Sequence, residues 1–300
     1  MTADGGWHRS VPGVIRRTYE AALEDNISFL ASAIAFDLLL TAIPFIVLLL
    51  GVVGYLVQHQ ITTQQIDVRQ FLERFLPPQP RAGGGVGFMQ LENLFAGVAE
   101  KRGTLTLIGV PLFVWFSTRL FGGLRAALNE VFDTDERRKF VVAKAVDVAM
   151  VAATGSLLVA NAVLSAWVSY LEAWSAATLG AAAAAPWFWT MAAQVLAFTS
   201  SVALFYLTFK FLPSRRIAAR TALVAASFCA VAFEVAKQLY AHYLTTFATV
   251  DRLLTDANLV AFLLFLVWLH YTAFVFLLGG EVAEMYDLVR MRRAQRVRLG

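Results

Sequence analysis

Glu234, Gln238 and His242 recur at i, i+4 and i+8, which sets them on one face of a helix with Lys237 beside them. The run that carries them is otherwise apolar. A charged side chain near the middle of a bilayer costs at least about 2.5–3.5 kcal/mol, so such a group is expected to face a bundle interior or a wet cavity. Two readings of the face stay open. It lines a path for a substrate or ion, or Glu234 and Lys237 form a structural pair while Lys237 and His242 reach the outer interface.

Other polar residues stand in apolar runs. His270 lies mid-span between Trp268 and Tyr271, where hydrogen-bonded packing and proton relay are the alternatives. Asp37 depends for its depth on where the first apolar segment enters the membrane. These two join Glu234, Lys237, Gln238 and His242 as the candidate substrate path. Lys144 and Asp147, spaced i, i+3, read as interfacial snorkelling, and Arg119 as a contact to phospholipid headgroups. Asn161 and Gln194 read as interhelical hydrogen-bond partners. Glu281 follows Gly279 and Gly280. The glycines permit close helix approach, and the carboxylate is expected to pair with basic residues of the 2–3 or 4–5 loop, with a gating latch as the alternative.

Catalytic chemistry finds little support. Metal-dependent nucleases need clustered His and Asp ligands, because the metals must be held a few ångströms apart. The four histidines, His8, His59, His242 and His270, are scattered. No positioned acid–base pair suggests metal-free cleavage. The single cysteine, Cys229, excludes an internal disulfide and a multi-cysteine metal site. Neither enzymatic activity nor a cofactor is expected.

The elements that must position these residues follow from composition. Hydrophobic residues make up 59% of the 300, charged residues 15%, and the mean hydropathy is +0.64. Several apolar runs reach the roughly 20 residues that cross a bilayer core of about 30 Å. In lipid each backbone polar group must bond within its own segment, so a helical bundle is expected. Residues 1–26 form a basic, amphipathic lead-in, and no cleavable signal peptide is expected there. The first apolar segment runs from Ile27 to Val57, with Pro44 as a kink site. Residues 58–103 read as a small outer cap of two short amphipathic helices, one over Val68–Leu76 and one over Phe88–Val98, parted by Pro77, Pro78, Pro80 and Gly83–Gly85. Further spans fall at Thr104–Phe121, Val141–Tyr170, Trp187–Leu212, Thr221–Tyr243 and Leu259–Gly280. An amphipathic helix with Leu124, Leu128, Val131 and Phe132 on one face follows the second span. Residues 27–287 thus make one membrane domain, and 288–300 a basic tail.

Charge sets the expected orientation. Three Lys and Arg in the N-terminus, four in the 2–3 loop, four in the 4–5 loop and five in the tail put sixteen on one side. The other side has six, five of them in the long 58–103 segment, where charges orient weakly. Both termini are therefore expected inside.

Four stretches then point to a family. They are SAIAFDLLLTAIPFIVLLL from Ser32 to Leu50, LRAALNEVFDTDERR from Leu124 to Arg138, FLPSRR from Phe211 to Arg216, and VWLHYTAFVFLLGGE from Val267 to Glu281. In this order and spacing, from about residue 14 to 287, the chain resembles the YihY/BrkB family of bacterial inner-membrane proteins. The resemblance implies a six-helix, multi-pass protein of the bacterial inner membrane. Serum resistance and envelope lipid export have been linked to members, and an old ribonuclease label was attached to the family. The motifs add Asn129, Arg137 and Pro213 to Pro44, Gly279, Gly280 and Glu281 as structural or gating positions. The chain departs from the pattern at Asp37, where an aromatic or apolar residue is expected, and at Thr255–Asn258, where a Tyr-Gly pair is usual.

The expected architecture is an all-α polytopic bundle of about six spans, N-in and C-in, with an amphipathic lead-in helix and a small outer cap. The expected function is transport or translocation of a lipid or other amphiphilic envelope molecule; the alternative is a non-transporting scaffold or envelope-integrity protein. Expected partners are membrane lipids, with a second copy or an envelope protein as further candidates, and no nucleic acid. The sequence shows no ATP-binding loop, so a primary pump would need a separate ATPase.

Overall fold

The computed structural model describes residues 11–64, 85–134, 138–179, 186–247 and 257–299. Among them the regular structure is entirely helical: α1 (Val11–Glu24), α2 (Ile27–Gln64), α3 (Gly85–Val131), α4 (Phe140–Leu179), α5 (Pro186–Phe211), α6 (Ala219–Phe247) and α7 (Ala257–Leu299). Among the described residues six stretches are long and apolar enough to cross a membrane: Ile27–Val52, Gly103–Val131, Phe140–Ala176, Trp187–Phe211, Ala219–Tyr240 and Phe262–Met291. The six expected spans and the all-helical class are therefore present. Large apolar side chains such as Leu107, Trp115 and Phe140 stand exposed on these helices, which suits lipid as solvent and not water.

Two short helices expected within longer ones are absent as separate elements. Residues 85–103 begin α3 and run into the second span without a break, because Gly103 alone costs only about 1 kcal/mol against Ala. The amphipathic stretch at Leu124–Phe132 likewise continues α3 through Gly122 and Gly123. Neither glycine ends the helix, and Gly123 admits close packing: a Cβ on it would stand 2.9 Å from Asp37 Oδ2. Residues 58–64 extend α2, and the expected helix at Val68–Leu76 lies outside the described residues.

The chain divides into two compact units. Leu38–Ser117 forms one, built from the later part of α2 and the earlier part of α3. Within it α2 runs helical through Pro44, which is buried and has no N–H to offer the carbonyl one turn back. Gly109 lies against the α2 backbone, where a Cβ would meet the Leu48 nitrogen at 3.3 Å. The Phe45 and Phe113 rings sit 5.6 Å apart, and the buried Thr41 hydroxyl donates to the Phe116 carbonyl at 3.3 Å.

Met1–Asp37 and Thr118–Gly300 form the other unit. Here α4 packs on α5, α5 on α6 and α6 on α7, while α1 lies against α7. A column of rings ties three of these helices together. Phe209 stacks on Phe276 at 4.9 Å, Phe205 meets Phe233 at 6.2 Å, and Trp268 meets Phe233 at 5.5 Å and Tyr240 at 4.9 Å. Offset and edge-on ring pairs of this kind add about 0.5–1.5 kcal/mol each beyond burial. Two left-handed residues, Asn26 (φ 50°) and Asp133 (φ 43°), end α1 and α3. Asn and Asp tolerate this region better than other side chains, which explains their placement at these turns.

Candidate functional site

The polar residues of the apolar helices fall into three kinds of setting. In the first, a pair is sealed inside the packing. Arg125 on α3 reaches Asp147 on α4 and also donates to the Ala143 carbonyl at 2.9 Å. Their side chains are 16% and 2% exposed. This corrects the interfacial reading of Asp147: Lys144 does face outward, but Asp147, one turn on, is buried and meets an arginine 22 residues away. Nothing local in the sequence marks that partnership.

In the second setting, side chains fasten the helix ends. Asn129 donates to the Ser214 hydroxyl and accepts from the Ser214 N–H, each at 2.9 Å, joining α3 to the turn after α5. Pro213 in that turn is buried, and its carbonyl accepts from Arg138 together with that of Phe211. Burial lowers the pKa of Arg138, as does the nearby charge of Arg125. Arg215 pairs with Asp287 of α7 at 3.2 Å and lies over the Phe132 ring, and Thr221 donates to the same carboxylate at 3.2 Å. Arg137, expected among these residues, lies outside the described residues.

The third setting is an ion pair left partly open on an apolar helix. Asp37 accepts from Arg119 at 2.9 Å, and the Arg119 side chain is 56% exposed. On α6, Lys237 pairs with Glu234 at 2.7 Å, with about two fifths of each side chain exposed, and its ammonium lies 5.6 Å from the Phe233 ring centre. Gln238 and His242, further along the same face, are exposed. His270 on α7 is half-buried, its Nδ1 3.4 Å from the Ser32 hydroxyl on α2. Thus Glu234 and Lys237 come together, Asp37 finds Arg119, and His270 finds Ser32. Asn161 accepts from Ser200 at 2.7 Å, the expected bond between helices, whereas Gln194 is exposed on α5.

Gly279 and Gly280 are buried where α7 meets α6 and α3. A Cβ on Gly279 would stand 2.0 Å from the Cys229 sulfur, and one on Gly280 2.9 Å from Val131 Cγ1. Glu281 follows them, fully buried, and neither of its oxygens meets a hydrogen-bond donor among the described residues. Among the described residues the expected pairing with loop cations is not made. Arg215 is taken up by Asp287, and Arg138 by two carbonyls of the α5–α6 turn. Glu281 faces Asp25 at the end of α1 instead. Burial raises the pKa of Asp25; the facing Glu281 carboxyl opposes this, and the charges of Asp133, Glu130 and Glu24 add to it.

Six long apolar helices carrying buried and half-buried ion pairs define an integral, polytopic α-helical membrane protein. The chain belongs to the family described as Virulence factor BrkB, whose profile matches residues 18–298. It is similar to a UPF0761 membrane protein of Pseudoalteromonas atlantica, 27% identical over 88% of this chain and 82% of that one. A UPF0761 membrane protein of Chlorobium phaeobacteroides is 24% identical over 89% of this chain, which spans 59% of that longer relative. A more distant relative in Bacillus subtilis, 18% identical over 84% of this chain and 87% of its own length, carries the name ribonuclease-like protein YfkH. No solved structure matches the chain.

Proposed function

We propose that this protein moves a lipid or other amphiphilic molecule across or within the bacterial inner membrane, without catalysing a reaction, and that both termini face the cytoplasm. The observation that supports this is the contrast between its ion pairs. Arg125–Asp147 is closed inside the helices, as a structural pair in lipid must be, whereas Asp37–Arg119 and Glu234–Lys237 keep much of their charge at the helix surface. A charge at the bilayer face is costly unless it meets water, a headgroup or a partner, so these two pairs are where a polar headgroup would be received. Arg119 supplies a planar donor suited to phosphate or carboxylate oxygens. The open apolar face of α5, which includes Trp187, Met191 and Val195, offers hydrocarbon a surface to lie on.

A scaffold role is the second reading. Asn129–Ser214, Arg138–Pro213 and Arg215–Asp287 fasten the ends of α3, α5 and α7, a rigidity that suits a platform for partners.

Mass spectrometry of lipids retained by the purified protein tests the transport reading. An anionic amphiphile enriched with the wild type and depleted in Arg119→Gln supports it. Equal, unselective lipid content in the two favours the scaffold.

A further inference from the structure

Among the described residues Glu281 has no counter-ion, in a place where one is needed. Its side chain is wholly buried, and neither oxygen has a donor among the described residues. An isolated ionised carboxyl in such a site would cost several kcal/mol, so the group is expected to be paired, neutralised or both. The group that faces it is the Asp25 carboxyl. Two ionised carboxylates offer each other only acceptors. They bond when one holds a proton, and like charges this close do not both ionise readily.

From the end of α1 come Glu24 and Asp25, from the end of α3 Glu130 and Asp133, and from α7 Glu284 and Asp287. Arg215, from the turn between α5 and α6, is the cation that faces Glu284, and it is already engaged by Asp287 and by the Phe132 carbonyl and ring. Asp25 and Asp133 also stand just past the C-terminal ends of α1 and α3, where the helix dipole disfavours negative charge. The carboxyls are not arranged around a metal: among the described residues no group of three or more His, Cys, Asp or Glu could hold such an ion.

We propose that Asp25 and Glu281 form a proton-binding site, in which a single proton shared by the two carboxyls fastens the end of α1 to α7. Binding the proton closes a carboxylic acid–carboxylate hydrogen bond. Its loss leaves two negative charges, one of them fully buried, and drives the Asp25–Asn26 turn away from α7. The turn is suited to such movement, because Asn26 joins α1 to α2 through one left-handed residue. The site is a property of this carboxyl pair and holds whether or not the chain moves lipid.

Infrared difference spectroscopy of the full-length protein in lipid nanodiscs, stepped from about pH 5 to pH 9, reads the proton directly. The wild type should lose a protonated-carboxyl C=O stretch worth one group above the range of ordinary carboxylates. Glu281→Gln, which keeps the shape of the protonated acid, should abolish that band. Asp25→Asn should move its midpoint to lower pH, because the amide donates to an ionised Glu281. A wild-type spectrum without such a band, or a band that neither substitution alters, overturns the proposal. The wild-type titration stands alone if either variant fails to fold.

Discussion

Gly279 of α7 lies so close to Cys229 of α6 that a Cβ built on the glycine would stand 2.0 Å from the sulfur. The cysteine is buried, and its thiol lies 3.6 Å from the Val275 carbonyl, within reach of a weak S–H donation. In lipid, helices associate through close packing and not through expulsion of water, so small residues at such contacts carry much of the stability.

Gly279→Ala should therefore destabilise the α6–α7 contact by overpacking, by about 1–3 kcal/mol. Cys229→Ala alone removes one heavy atom and should cost less. In the double variant the new methyl occupies the space the sulfur leaves, so the loss should be smaller than for Gly279→Ala. Thermal unfolding in detergent, followed by the surviving monodisperse fraction, reads all three. Additive losses would mean the two positions do not share the space described.

The Arg125–Asp147 pair gives a prediction of the opposite kind. With side chains 16% and 2% exposed, removing either partner strands a buried charge. Arg125→Gln should cost about 3–5 kcal/mol, while the paired change Arg125→Leu with Asp147→Leu should cost much less. Expression and detergent stability of the single and double variants check this order.

At the junction of α3 with the α5–α6 turn, Asn129 makes two bonds to Ser214, one to its hydroxyl and one from its N–H. Asn129→Ala breaks both and leaves a backbone donor without its partner, so a loss of about 1–3 kcal/mol is expected. Ser214→Ala keeps the backbone bond and should cost less. Equal losses in thermal unfolding would contradict this geometry.

Asp25 supplies a dependence on pH. Its pKa is raised in the folded protein, chiefly by burial. A carboxyl raised in this way binds protons more tightly when folded, so its contribution favours folding at low pH and fades as pH rises through the folded value. The wild type should therefore lose more stability than Asp25→Asn as pH rises from the ordinary carboxylate range, about pH 4, towards neutrality. A wild-type melting curve that runs parallel to the variant's across that range would contradict the shift.

These residues show what the sequence can and cannot reveal. The six spans were legible because apolar length is a property of single segments, read directly against bilayer thickness. The Glu234–Lys237 pair was legible too, since i, i+3 spacing sets both side chains on one face. Asp147 was misjudged because Arg125 sits on a different helix and only the rotation of α3 against α4 brings them together. The same reason hid Asp25 from Glu281: a contact across 256 positions leaves no periodic mark. Nor did the glycines reveal how α3 behaves at 103, 122 and 123, since a glycine that ends a helix and one that a helix runs through look alike in sequence.

The central claim, that this membrane protein carries amphiphiles past its partly open ion pairs, is tested most directly in proteoliposomes. Fluorescent lipid crossing between leaflets should be faster with the wild-type protein than in protein-free vesicles, and several-fold slower with Glu234→Gln. No movement above the protein-free rate, across several lipid classes and with an imposed proton gradient, would contradict the claim and leave the scaffold reading in its place.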